Sequence, residues 1–217
     1  MARSGSPSKI VTKQGVRSTP TRDQLIEAAI GSLVNNGFSG TSARSIGDRA
    51  NLNQALVFYH FGSVANLLLA ALDAVSERRM SKYAASVETA TSPTALVELA
   101  GQIFREDLDA GYVTVLVEMM AGASSTPGLG AEVALRIAPW FNFAEVALET
   151  LFAESPLGSL VPTKDAAHAV VALYIGLEML SHLDGDRSPA LDLFAHAQKF
   201  AVLISAFSPV PQIKEQS

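Results

Sequence analysis

Apolar residues recur every three or four positions almost from end to end of this chain, with breakers between the runs. Leu25, Ile26, Ala29, Ile30, Leu33 and Val34 have the period of a helix with one buried face. Thr21-Arg22-Asp23-Gln24 has capping-box spacing, which predicts Thr21 as N-cap with Gln24 reaching back to it. Gly37 supplies a left-handed stop. A second start falls at Thr41-Ser42, with Ala43, Ile46 and Ala50 along the helix; Asn51-Leu52-Asn53 interrupts it, and a short helix follows from Gln54 to about Tyr59. After Gly62-Ser63 a long helix is predicted from Val64 to about Ser86, burying Leu67, Leu68, Ala71, Leu72 and Val75. Five more helices are predicted near 94–110, 112–123, 128–155, 163–184 and 189–208, with Pro139 kinking the third of them. No period-two alternation bounded by hairpin turns is present, so the expected fold is all-α with about nine helices.

The second and third helices have the spacing of a helix-turn-helix. That motif needs two short helices at a steep angle joined by a tight turn. Ala50 is small where the helices cross. Asn51 tolerates a left-handed backbone better than most non-glycine residues. Asn53 can cap the following helix, whose N-terminus then faces outward. A helix this short is not stable alone, so Phe38, Ile46, Leu52, Val57, Phe61 and Leu67 are expected to anchor it.

The charge distribution sharpens this reading. The whole chain carries −5 at pH 7, yet residues 1–81 hold nine Lys/Arg against five Asp/Glu. A basic front on an acidic body suits phosphate binding at one end. Residues 1–20, polar and basic, are expected to be a disordered arm. Charged residues are only 17% of the chain and apolar ones 48%, which points to extra apolar surface buried between subunits.

The stretch GFSGTSARSIGDRANLNQALVFYHFGSVANLL resembles the N-terminal domain of TetR-like (TetR/AcrR) regulators. The resemblance runs from about Thr21 to Leu72 and rests on Gly37-Phe38, Thr41, Ile46, Ala50, Tyr59-His60-Phe61 and Leu67 at fixed spacing. It implies a DNA-binding surface. Thr41 and Ser42 would start the second helix at a phosphate through their hydroxyls and the helix N-terminus. Arg44 would reach a base edge or a phosphate. Gln54 would read a base, adenine being its natural partner, and Ala55 and Leu56 would pack on thymine methyl groups. Asn53 belongs to the same surface, and Tyr59 and His60 would hold phosphates. Three positions depart from the family pattern: Asn51 stands where glycine is usual in the turn, Phe58 where a tyrosine is common, and Val64 where a lysine often opens the fourth helix. The last two remove phosphate contacts, which places more of the binding on Gln54, Tyr59, His60, Thr41, Ser42 and the N-terminal arm.

The remainder resembles the family in architecture only. Ala169, Ala172, Leu173, Gly176, Leu177 and Leu180 run along one side of helix 163–184, and helix 189–208 is apolar around much of its girth, through Leu191, Leu193, Phe194, Phe200, Val202, Leu203, Ile204 and Phe207. A helix apolar on two faces needs two partners. Self-association through these helices is therefore expected, and the resemblance implies a homodimer on near-palindromic double-stranded operator DNA. The other side of helix 163–184 aligns Val171, Tyr174, Ile175, Glu178 and His182, with Glu178 and His182 one turn apart and able to pair. Together with Phe104, Glu118, Met119, Trp140, Phe141 and Phe143 these residues suggest an effector site that is mainly apolar with few polar groups. Phe104, Glu118, Met119, Trp140, Phe143, Tyr174, Glu178 and His182 are the expected ligand contacts. Glu118 or Glu178 would favour a cationic or hydrogen-bond-donating ligand.

Enzyme chemistry finds little support. His60, His168, His182 and His196 show no metal-ligand spacing, and the chain has no cysteine. Gly128-Leu129-Gly130 is half of a phosphate fingerprint with no strand before it. No cofactor or metal is expected. No uncharged apolar run approaches the ~18 residues of a membrane span, so a soluble cytoplasmic protein is expected. The expected domains are the arm at 1–20, a DNA-binding domain at 21–66, a ligand-binding and dimerisation domain at 67–208 joined to it by helix 64–86, and a disordered tail at 209–217. The expected function is a ligand-responsive regulator, a repressor released by a small molecule. The alternatives are a helical adaptor without DNA binding and a ligand-dependent activator.

Overall fold

Among the described residues, four helices begin at a Thr or Ser whose hydroxyl accepts from a free backbone N–H, at Thr19, Ser42, Ser63 and Ser92, and four end at a glycine, at Gly37, Gly62, Gly111 and Gly185. The computed structural model describes residues 19–90, 92–152 and 162–206, and among these it contains helices and no strand. They are α1 (Pro20–Asn36), α2 (Ala43–Ala50), α3 (Ala55–Phe61), α4 (Val64–Thr89), α5 (Pro93–Ala110), α6 (Tyr112–Ala123), α7 (Leu129–Phe152), α8 (Thr163–Asp184) and α9 (Ser188–Ala206). The basic arm falls almost wholly, and the C-terminal tail wholly, outside the described residues.

The start of α1 differs from expectation. Thr19, not Thr21, is the N-cap: its hydroxyl accepts from the Arg22 N–H at 3.3 Å. Pro20 then takes the first helical position, where a missing N–H costs nothing. Gln24 is thereby free of the cap, and its Nε2 donates to the Ala50 carbonyl at 2.8 Å, tying α1 to the end of α2. Pro139 lies inside α7, which continues past it to Phe152.

One continuous core joins the two ends of the molecule. Leu25, Ala29 and Leu33 of α1 pack with Ile46 of α2, Val57 of α3 and Leu67, Leu68 and Ala71 of α4. The same cluster runs on through Val75 into Val115 and Met119 of α6 and Leu129 and Val133 of α7. Truncating any of these to alanine costs roughly 2–5 kcal/mol for the larger side chains. The three-helix head is therefore bonded to the body through both α4 and α6. In the body, α8 packs mainly on α7 and α9 mainly on α5.

Among the described residues, the outer side of α8 has no partner. Leu173 and Leu180 are each 55% exposed and Leu183 72%. Ala169 and Ala172 are also exposed, and a side chain added at Gly176 would meet nothing within 4 Å. This is the face expected to self-associate. On α9, Leu193 and Val202 are likewise exposed, while the side chains of Phe200, Leu203, Ile204 and Phe207 lie outside the described residues. Among the described helices, α8 alone is long and apolar enough to cross a membrane unbroken. It carries Lys164, Asp165 and Glu178, so it is not an uncharged apolar run.

Candidate functional site

The helix-turn-helix is held by local bonds that the sequence pattern foreshadows. Ser42 caps α2 by accepting from the Ser45 N–H at 3.1 Å, and the Ser45 hydroxyl returns the bond by accepting from the Ser42 N–H at 2.8 Å. Asn51 closes α2 with φ 52° and ψ 43°, the left-handed region, and it is the one non-glycine residue with positive φ among those described. Asn53 Oδ1 accepts from the Ala55 N–H at 2.8 Å, which caps α3 as expected. The close crossing is set by Gly47 as well as Ala50. A Cβ at Gly47 would sit 2.9 Å from the Leu52 carbonyl oxygen and 3.1 Å from the Gln54 nitrogen. Sequence reading missed Gly47, although its place four residues before Asn51 was visible.

Val57 is fully buried and pins α3 to the core. The opposite face is open: Gln54 and Ala55 are exposed, Leu56 half-buried, Phe58 exposed and Tyr59 80% exposed. His60 lies edge-on to the Tyr59 ring, with centroids 4.9 Å apart. Phe61 is half-buried beneath Arg22, whose guanidinium carbon is 4.8 Å from the ring centroid. Arg44 is exposed beside Asp48 at 3.9 Å. Thr41 and Ser42 are more committed than expected. The Thr41 hydroxyl donates to the Gly37 carbonyl at 2.6 Å, and the Ser42 hydroxyl is engaged with Ser45. What they present outward is therefore the start of α2, with their hydroxyls tied into the turn.

Behind this surface lies an apolar cavity of about 280 Å³ between α4, α5, α6, α7 and α8. That is the small end of the ~300–1,000 Å³ range of ligand sites. Trp140, Phe143 and Tyr174 line it, with Val171 and Ile175. Val113 and Leu116 of α6 also face it, as do Leu96 and Ile103 of α5, which the sequence did not single out.

At its polar edge stands Arg79, another residue the sequence did not single out. Arg79 is bonded to the fully buried Asp107, and the Tyr174 hydroxyl donates to the same Asp107 oxygen. The Arg79 guanidinium also lies over the Trp140 ring, 4.5 Å from its centroid, and Trp140 Nε1 donates to Ser76 Oγ at 2.8 Å. Burial pulls the Arg79 pKa down, but the charge and hydrogen bond of Asp107, with Tyr174 and Glu178, together outweigh it and the net shift is upward. Burial, then Asp107, likewise raises the Tyr174 hydroxyl. Arg79 and Asp107 thus stand as a fixed ion pair, and the cavity offers a ligand little net charge.

Five expected ligand contacts lie elsewhere. Phe104 is fully buried core, packed edge-on to Tyr174 at 5.6 Å and tilted on Phe194 at 5.1 Å. Met119 is fully buried in the core shared with the head. Glu118 points at the head: its Oε2 accepts from the Phe38 N–H at 2.6 Å. Glu178 and His182, with Glu118, line a separate polar cavity between α6 and α8. Among the described residues no bond joins Glu178 to His182, and Glu178 Oε1 is buried without a hydrogen-bond partner. Periodicity put these residues on the right helices but could not tell a core face from a cavity face. Among the described residues no cluster of His, Asp and Glu is arranged to hold a metal ion.

Residues 25–71 match the family model described as bacterial regulatory proteins, tetR family. No curated protein sequence matches the chain. Solved structures share its fold. A putative transcriptional regulator from Pseudomonas aeruginosa PAO1 is 22% identical with TM-score 0.67, over 87% of this chain and 93% of that one. The fatty acid degradation regulator FadR from Bacillus halodurans is 13% identical with TM-score 0.73, over 93% and 100%. A putative TetR-family regulator from a Rhodococcus species is 18% identical with TM-score 0.71, over 84% and 99%. Residues 25–71, from α1 into α4, thus form a helix-turn-helix domain that matches the tetR family of bacterial regulatory proteins, within a fold shared along the rest of the chain with these solved structures.

Proposed function

We propose that the chain is a transcriptional repressor that binds operator DNA as a homodimer and is released by a small, mainly apolar molecule. The observation that carries this reading is the sharing of two helices between cavity and head. Arg79 and Val87 of α4 line the cavity, while Leu67 and Leu68 of the same helix sit in the head core. Val113 and Leu116 of α6 line the cavity, while Met119, one turn on from Val115, is in that core. A ligand that prefers one arrangement of these helices biases the heads by its differential affinity for that arrangement.

On the DNA side, Gln54 and Tyr59 stand exposed at the two ends of a recognition helix anchored by Val57. Gln54 offers a bidentate contact to adenine, worth about 1–3 kcal/mol of discrimination. The unpartnered face of α8 supports the homodimer, whose symmetry would present two recognition helices to major grooves about 34 Å apart.

Trp140 is the sole tryptophan and lines the cavity, so its fluorescence reports ligand entry without a label. The experiment titrates duplex from the chain's own promoter region, at several salt concentrations, with and without compounds that change Trp140 emission. Expected are salt-dependent binding and weaker binding with such a compound. Absence of duplex binding even at low salt would sink the DNA reading. Unchanged affinity in the presence of a compound that saturates the Trp140 signal would sink the release mechanism.

A further inference from the structure

The second cavity, about 420 Å³ between α6 and α8, has a far more polar lining than the first. Thr114, Glu118, Glu178, Ser181, His182 and Arg187 form its polar wall. Glu178 is 4% exposed, and its Oε1 has no partner. An unmatched buried carboxylate oxygen is costly, and more so when charged. Neither nearby cation is bonded to Glu178: Arg79 is bonded to Asp107, and Arg187 pairs with Asp109 at 2.5 Å. Glu118, the second carboxylate on this cavity, holds the Phe38 N–H immediately after the end of α1.

We propose that the cavity between α6 and α8 is a second ligand site, for a small primary ammonium compound held by Glu178 and Glu118, and that its occupation loosens the Glu118 hold on the head. An ammonium offers three donors and no acceptor, the complement of two carboxylates. A carboxylate ligand would meet two like charges. Burial, followed by the negative charge of Asp107, raises the Glu178 pKa to about 7. The groups around Glu178 are Asp107, Arg79 and Tyr174 on one side, and Glu118, His182 and Arg187 on the other. Deprotonation of Glu178 therefore strengthens the site as pH rises through neutrality. The site is separate from the apolar cavity, and its detection needs no DNA.

The test titrates the full chain with n-butylammonium, 1-butanol and butyrate by calorimetry, and follows hydrogen exchange of the Phe38 amide. Expected are binding of the ammonium alone, loss of at least about tenfold in affinity in Glu178→Gln, and several-fold faster exchange at Phe38 on saturation. Affinity rises about tenfold from pH 6 to pH 8, the ratio of ionised Glu178 at the two values. Equal binding of butanol, or an unchanged affinity in a folded Glu178→Gln variant, overturns the site. A flat pH profile of the native chain overturns it whether or not the variant folds. Binding that leaves Phe38 exchange unchanged overturns the coupling to the head.

Discussion

Asn51 and Glu178 are each held in a state that their residue type resists, and each makes a measurable demand. Asn51 occupies the left-handed region, where a Cβ costs roughly 1–2 kcal/mol and asparagine offsets part of that. Asn51→Ala is expected to lower unfolding free energy by about 1 kcal/mol, whereas Asn51→Gly is neutral or mildly stabilising; urea melts of both compare them directly. Glu178 has its folded pKa raised from 4.5 to about 7. Folding therefore takes up a proton between these values. Stability from this group is complete below pH 4.5 and is lost as pH rises through 7. At pH 8 the Glu178→Gln variant is expected to gain on the native chain, by up to roughly 3 kcal/mol, with a much smaller gap at pH 5. Equal gaps at both pH values would remove Glu178 as the source. The turn at Asn51 was legible in the sequence because asparagine there has a local backbone meaning. The state of Glu178 was not, because its neighbours Asp107 and Arg79 come from α5 and α4.

Among the elements, α6 is the tightest joint between head and body. A Cβ on Gly122 would lie 2.4 Å from the Phe38 ring, so α6 and the end of α1 approach as closely as a bare backbone allows. Gly122→Ala is expected to displace Phe38 at a cost of roughly 1–3 kcal/mol. The displacement is read from the Phe38 ring resonances and the cost from a thermal melt. An unshifted Phe38 signal would show that the contact is slack. The bounds of α6 and α8 were both readable from Gly111, Ser124, Thr163 and Gly185, since breakers act locally. Their packing partners were not. Glu118 and Phe38 are eighty residues apart, and nothing in a helical period names so distant a partner. For the same reason Met119 and Phe104 read as cavity residues and prove to be core. Arg79 was overlooked because a basic residue on a long helix ordinarily suggests solvent.

At the scale of the molecule, the proposed homodimer puts the open face of α8 to the test. Leu173→Glu combined with Leu180→Glu places charge on two exposed positions that touch nothing essential within the chain. Light scattering is expected to report a monomer with an unchanged helical spectrum, and operator affinity is expected to fall by more than tenfold. A folded dimer carrying both substitutions would show that the heads are paired by some other surface.

If the proposed pairing runs through that face, it also sets how the chain answers to its own abundance. A head that grips DNA only in pairs has an occupancy that follows the square of protomer concentration wherever pairing is incomplete. Halving the amount of protein then empties its operators by more than half. The strength of the apolar contact along one helix would thus set the copy number below which control of transcription fades.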